Sequence, residues 1–158
     1  MILIRPATSE DVSWVAERLR AEDAEEIRTA SQKDPVEIVH RAFSLSRETY
    51  AVYLGRDRLS KHPAALFGVS GEGQRGAVWF LATDDIKGFG LTILLEAPYW
   101  LNHLSRHYPD GLHNYADLRN TLHIRWCQLT GFTLGNTVDL RGFPFVHIHR
   151  PSGGQAHV

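Results

Sequence analysis

The chain has 158 residues and is poor in several things that would narrow its class. There is one cysteine, Cys127, so no internal disulfide can form, and a reducing compartment, or at least no oxidative scaffold, is expected. Charge of neither sign dominates: 17 Lys and Arg face 18 Asp and Glu, a net charge of -1, and no global field draws the chain to nucleic acid or an anionic membrane. No apolar run approaches the length of a membrane span, and no charged segment followed by an apolar one opens the sequence, so a soluble protein is expected. Internal repeats and low-complexity segments are also missing. What remains is a chain long enough to bury a real core as one domain, 1–150, followed by a polar, Gly-rich tail, 151–158. The tail is expected to be loose in an isolated monomer, and an ordered one would need a partner surface.

The chain changes period along its length. Met1 to Arg5 is a short apolar strand closed by Pro6. Thr8 to Asp11 carries a capping signature ahead of Val12, Val15, Ala16 and Leu19, which repeat as an amphipathic helix. Glu22 to Ala30 continues with helix formers, and Asp34-Pro35 restarts a helix with buried Ile38, Val39, Ala42 and Phe43. Thr49 to Leu54, Ala64 to Val69 and Ala77 to Ala82 read as a meander, the last run apolar enough for a central strand covered on both faces.

A helix follows from Leu91 to Tyr108, where Pro98 predicts a kink or break. Leu112 to Tyr115 reads as a strand, and Leu118 to Leu129 as a helix capped by Asp117 and stopped at Gly131. That helix should bury Leu118, Leu122, Trp126 and Leu129 and display Asn120, His123 and Cys127. Thr133 to Leu134 and Leu140 to His149 close the sheet around Gly135-Asn136, with Pro144 implying an edge or a bulge. The order is β-α-α-β-β-β-α-β-α-β-β, a mixed α/β fold on a twisted sheet of six or seven strands.

Several residue groups could carry chemistry. His123 and Cys127 lie one turn apart, a spacing that a Cys-His nucleophilic pair could use, although a buried thiol is usually inert. His147 and His149 share a strand face and His103 and His107 a helical turn, but no third ligand stands at a metal-site spacing, so no metal is expected. Asp84, Asp85, Glu72 and Glu26 could serve as a general base, with helix capping the competing role for Asp84 and Asp85. Tyr99, Trp100 and Trp126 could stack on a base or a partner, yet core packing is the commoner fate of such aromatics. Arg119, Arg125 and Arg141 make at most a small basic patch, and no clear nucleic-acid site.

The element order, Ile4-Arg5-Pro6-Ala7-Thr8-Ser9-Glu10-Asp11-Val12 at the front, and Asn120, Gly131 and Phe132 at the family's N…GF positions near the end resemble the GNAT acyltransferase superfamily. Asp23 to Ile27, Leu66 to Val69, Trp79 to Asp84, Asn114-Tyr115 with Asp117 and Asn120, and His123 to Trp126 resemble a branch from short-tailed bacteriophages that includes internal virion proteins. The superfamily resemblance implies a three-layer fold, with acetyl-coenzyme A in the splayed V between two parallel strands, flanked by Lys87, Gly88, Gly90 and Asn120. It also exposes departures. Asp85 stands where the phosphate loop usually has Gln or Arg, and Asp84 and Asp85 would repel a pyrophosphate that Lys87 only partly attracts. Cys127 stands where the family has its general-acid Tyr, and His123 where it has a small residue.

The resemblance, with these departures, therefore leads to a main expectation and an alternative. The main expectation is a virion component assembled in the host cytoplasm, with a degenerate site, no cofactor, and other virion proteins or further copies of itself as partners, away from membranes. The alternative is a cytoplasmic N-acyltransferase that moves an acetyl group from coenzyme A to an amine, with Cys127, His123 and Asp84 as its candidate catalytic groups.

Overall fold

A computed structural model describes residues 1–152. The expectation for the tail falls mainly on 153–158, outside the described residues. Seven strands and five helices follow one another as β1 (Ile2–Pro6), α1 (Ser9–Ala16), α2 (Ala21–Ser31), α3 (Pro35–Leu45), β2 (Ser46–Leu54), β3 (Ala65–Ser70), β4 (Gly76–Ala82), α4 (Gly90–Ser105), β5 (Leu112–Asp117), α5 (Thr121–Leu129), β6 (Thr133–Leu140) and β7 (Phe143–Arg150). A short 3-10 turn, Asp84–Ile86, stands between β4 and α4. The strands form a seven-stranded mixed sheet in the order β1-β2-β3-β4-β5-β7-β6. The acidic stretch after α1 is a helix of its own, so three helices rather than two precede β2.

By compactness the described residues divide into a first unit, Met1–Ser70 with Trp79–Thr92, and a second, Gly71–Val78 with 93–152. In the first unit β1, β2 and β3 pair antiparallel. Val12, Val15 and Ala16 from α1 and Val39 from α3 pack with Ala51, Tyr53 and Leu66 from the strands. The Thr8 hydroxyl accepts from the Asp11 N–H while the Asp11 carboxylate accepts from the Thr8 N–H, which fixes the start of α1. Asp34 caps α3 with its carboxylate, which accepts from the Val36 N–H, and Pro35 takes the first helical position. Trp79 turns toward this core and donates its indole N–H to Ser46 Oγ at 2.9 Å.

In the second unit β5 pairs antiparallel with β7, and β7 with β6. The β6–β7 turn is at Arg141-Gly142, both at positive φ, whereas Gly135-Asn136 marks only a shift of register within β6. Two-residue turns of this kind match the twist of the strands they join, and composition alone placed the reversal too early. Pro144 sits at neither an edge nor a shift: β7 runs between β5 and β6, and Pro144 pairs with Asp139. Helix α4 continues through Pro98 unbroken. Strand β4 is central, as expected, but only Gly76 and Ala82 along it are buried, so it is not covered on both faces.

Candidate functional site

Two groups of the residues picked out by sequence belong to different units. Asp84, Lys87, Gly88 and Gly90 lie in the first unit, between β4 and α4. Thr83 caps the 3-10 turn through its hydroxyl, which accepts from the Asp85 N–H at 3.2 Å. Asp84 is exposed and pairs with Lys87 at 3.3 Å, so the cation meant to attract a phosphate is shared with a carboxylate. Gly88 has φ of +85°, a conformation an L side chain rarely adopts. A Cβ placed there would meet only an Arg56 guanidinium nitrogen, at 3.7 Å.

Arg56, from the β2–β3 connection, is thus a second cation beside the glycine turn, and sequence reasoning missed it. No local motif marks it, since the turn that brings it there is made by chain distant in sequence. Gly90 opens α4, whose first amides have no acceptor within the helix. An open glycine turn, two cations and a helix start fit an anionic phosphate group, with Asp84 and Asp85 opposing it.

Asn120, His123 and Cys127 lie in the second unit, on α5. Here the structure corrects the expected geometry. Asp117 ends β5 and is not the helix cap; it is buried and holds the Arg119 guanidinium, with Nη2 to Oδ2 at 2.5 Å. The bond to Arg119, ahead of the opposing effect of burial, keeps the Asp117 carboxyl below its ordinary pKa. Asn120 is the cap, its Oδ1 accepting from the His123 N–H at 3.2 Å. The helix therefore starts later than predicted, and its faces are exchanged. Leu122 and Leu129, expected inside, are 70% and 55% exposed, while Cys127, expected on display, is 7% exposed. Cys127 and the half-buried His123 line the inner side of α5.

His147 and His149 lie two apart on β7, as expected, and His147 also meets a histidine of the neighbouring strand β5. His113 Nδ1 lies 3.0 Å from His147 Nε2, and the Tyr115 ring lies 5.0 Å from that of His147. His149 instead reaches the Asp110 carbonyl with Nε2 at 2.7 Å. Burial first, then the positive charge of Arg75, lowers the pKa of both His113 and His147, which favours neutral imidazoles. His113 could be paired only once the strand register was known: β5 faces β7 with His113 opposite His149 and Tyr115 opposite His147. His107 lies beyond the end of α4, so it does not share a helical turn with His103. Tyr99, expected in a core, is 66% exposed and meets Trp100 edge-on at 5.3 Å.

Strand β4 pairs parallel with β5 only at Gly76 with Leu112 and Ala77 with His113. Beyond these pairs the Asn114 side chain, not the main chain, reaches the Val78 carbonyl, at 2.5 Å. A separate groove runs along the outer face of α1, beside Glu10, Trp14 and Arg18, and holds none of the predicted site residues.

No protein-family model and no curated protein matches the sequence. Solved structures do match. A chimera of spermidine N-acetyltransferase SpeG from Vibrio cholerae and hSSAT superposes with a TM-score of 0.69 at 8% identity, over 97% of this chain and 96% of that chain. AAC(6')-Ib, solved with ribostamycin and coenzyme A, gives a TM-score of 0.67 at 19% identity, over 99% of this chain and 95% of that chain. An acetyltransferase of the GNAT family from Streptococcus pneumoniae gives 0.61 at 14% identity, over 97% of this chain and 100% of that one. At these identities the likeness is one of fold, and the chain has the GNAT acetyltransferase fold over nearly its whole length.

Proposed function

We propose that the protein is an N-acyltransferase that moves an acetyl group from coenzyme A to an amine. The observation that carries this reading is the parallel β4–β5 pairing that stops after two residue pairs, in a chain sharing its fold from end to end with acetyltransferases. The Val78 carbonyl and the Tyr115 N–H at the stop are held by the Asn114 side chain, and past them the β5 main chain could bond an acyl donor with amide groups. The Gly88–Gly90 turn supports the same reading, with Lys87 and Arg56 to hold a pyrophosphate and Asp84 and Asp85 to weaken the hold.

In acetyl transfer the amine nitrogen attacks the thioester carbonyl, the carbon–sulfur bond breaks, the amine loses a proton, and the departing thiolate gains one. A proton acceptor must be unprotonated near pH 7. The lowered pKa values of His113 and His147 favour that form, and Asp84 is already engaged by Lys87. Cys127, buried on the inner side of α5, stands where the resemblance places the group that protonates the thiolate.

A virion component with a degenerate site rests on the sequence likeness alone, and the same test separates the two. Titration calorimetry with acetyl-coenzyme A is expected to give a Kd in the micromolar range. No heat at millimolar ligand would sink the acyltransferase reading and leave the virion component standing.

A further inference from the structure

We propose that Asn114 is a positioning residue that ends the β4–β5 ladder by taking the place of its next hydrogen bond. In a parallel pair the bonds recur every second residue on each strand. The Gly76 N–H donates to the Gly111 carbonyl at 3.0 Å at the start of the pair. The paired positions are Gly76 with Leu112 and then Ala77 with His113, and the bond that would continue the series beyond them joins the Val78 carbonyl to the Tyr115 N–H. Both groups are taken by one side chain. Asn114 Nδ2 donates to the Val78 carbonyl at 2.5 Å, and Asn114 Oδ1 accepts from the Tyr115 N–H at 2.7 Å.

A carboxamide is the side-chain group that can do both, since it carries a donor and an acceptor like a peptide. Inserted between the strands, it leaves neither main-chain group orphaned and still prevents the strands from zipping further. On the other side β5 is held in register by β7 from Leu112 to Asp117, so closing this gap would have to come from β4. All these groups belong to the second unit. The further consequence, that Asn114 keeps an edge available to the acyl donor, rests on the acyltransferase reading.

The test compares the wild-type chain with Asn114→Val, whose side chain suits a strand and can make neither bond. Three quantities are measured: the NMR coupling through a hydrogen bond between the Tyr115 amide nitrogen and the Val78 carbonyl carbon, the melting temperature, and acetyl-coenzyme A binding by calorimetry. The coupling is expected to be absent in the wild type and present in the variant, with an unchanged or higher melting temperature and at least tenfold weaker binding. A merely structural asparagine would lower the melting temperature and produce no new coupling. Coupling already present in the wild type, no coupling in a folded variant, or undiminished binding in a variant that shows the coupling would each overturn the proposal. Should Asn114→Val fail to fold, Asn114→Asp keeps the acceptor and loses the donor. The Val78 carbonyl is then expected to lose its partner while the Tyr115 N–H keeps its own, as read from amide exchange at Tyr115, and fast exchange there would overturn the wedge. If the wild type binds no acetyl-coenzyme A, the acyltransferase reading fails while the coupling still decides the role of Asn114.

Discussion

Both units bury an apolar core, and they differ in the polar groups set within it: the first pairs two buried carboxylates beside its helix starts, whereas the second adds a buried arginine. In the first, Val12, Val15 and Val39 are fully buried, and the buried Asp11 gathers Arg5, Thr8 and Tyr53. Asp23, also buried, binds Arg20 and accepts from the Ala82 N–H at 2.8 Å, which ties the end of β4 to α2. In the second, Leu95, Tyr99, Leu122 and Leu129 are all more than half exposed. Its interior, which buries Leu104, Tyr108, Leu112, Phe145 and Ile148, is also pinned by Arg150, whose Nε donates to the Thr130 carbonyl at 2.9 Å and whose Nη1 donates to Asn102 at 2.9 Å. Both cores are apolar, so the two units should differ most in their response to changes at these polar groups and at close backbone approaches.

The largest difference is expected at Gly111, where the chain enters β5. An added Cβ would lie 2.1 Å from the Arg150 carbonyl oxygen, and φ is +87°. Gly111→Ala must therefore move backbone and accept strain, at a cost of about 3 kcal/mol or more. Urea unfolding checks it; a loss under about 1 kcal/mol would mean that the close approach does not hold the second unit. In the first unit the matching change is Asp11→Ala, which removes the capping box and leaves Arg5 and the Tyr53 hydroxyl without their shared acceptor. A loss of about 2 kcal/mol is expected, with an unchanged denaturant slope.

Acid should act in two pH ranges, the lower one through buried carboxylates of both units, Asp11 and Asp117, and the higher one through the histidine pair of the second. Burial, the largest influence on Asp11, pushes its carboxyl up, but the Thr8 N–H, the Tyr53 hydroxyl and Arg5 together hold it below its ordinary value. Tyr53 is correspondingly pushed up to about 12, by burial first and then by Asp11. A carboxyl lowered on folding stabilises the fold above its unfolded pKa and loses that contribution as pH falls through the folded one, which places this loss below about pH 4. His113 and His147 act higher. Their pKa values are lowered on folding, so the unfolded chain binds protons first as pH falls through about 6.5, and stability declines from there until the folded values are passed. The melting temperature is expected to fall between about pH 7 and pH 5, and His147→Ala should flatten that slope while leaving the more acidic loss in place. A slope unaffected by the substitution would remove the histidine pair as its source.

The contrast also explains what could be read in the amino acids alone. Thr8 to Asp11 and Asp34-Pro35 mark their helix starts because a cap is a local bond between residues a few positions apart. In α5 the leucine spacing was followed to the wrong face. The helix begins at Thr121, so Leu118 is not part of it, and its inner side is chosen by the sheet beneath, which takes Cys127 and Thr130. Gly88, Gly90 and Lys87 were legible as a turn before a helix. Arg56 beside Gly88, His113 beside His147 and Asn114 beneath Val78 depend on register or on chain far away in sequence, and no local pattern encodes them.

The smallest expected effect tests whether the first unit has any slack left. Gln32 ends α2 in the left-handed region at φ 57°, donating its N–H to the Arg28 carbonyl, and its side chain is exposed. Glycine takes that conformation without the steric cost that a Cβ incurs, and it is the residue most often found at this kind of helix end. Gln32→Gly is therefore expected to stabilise by about 0.5–1 kcal/mol, because the relief of strain outweighs the entropy glycine adds to the unfolded chain. A melting temperature raised by about 2 °C would agree with that. A fall instead would show that the Gln32 side chain holds α2 through more than its backbone, and that this end of the first unit depends on a single polar tie.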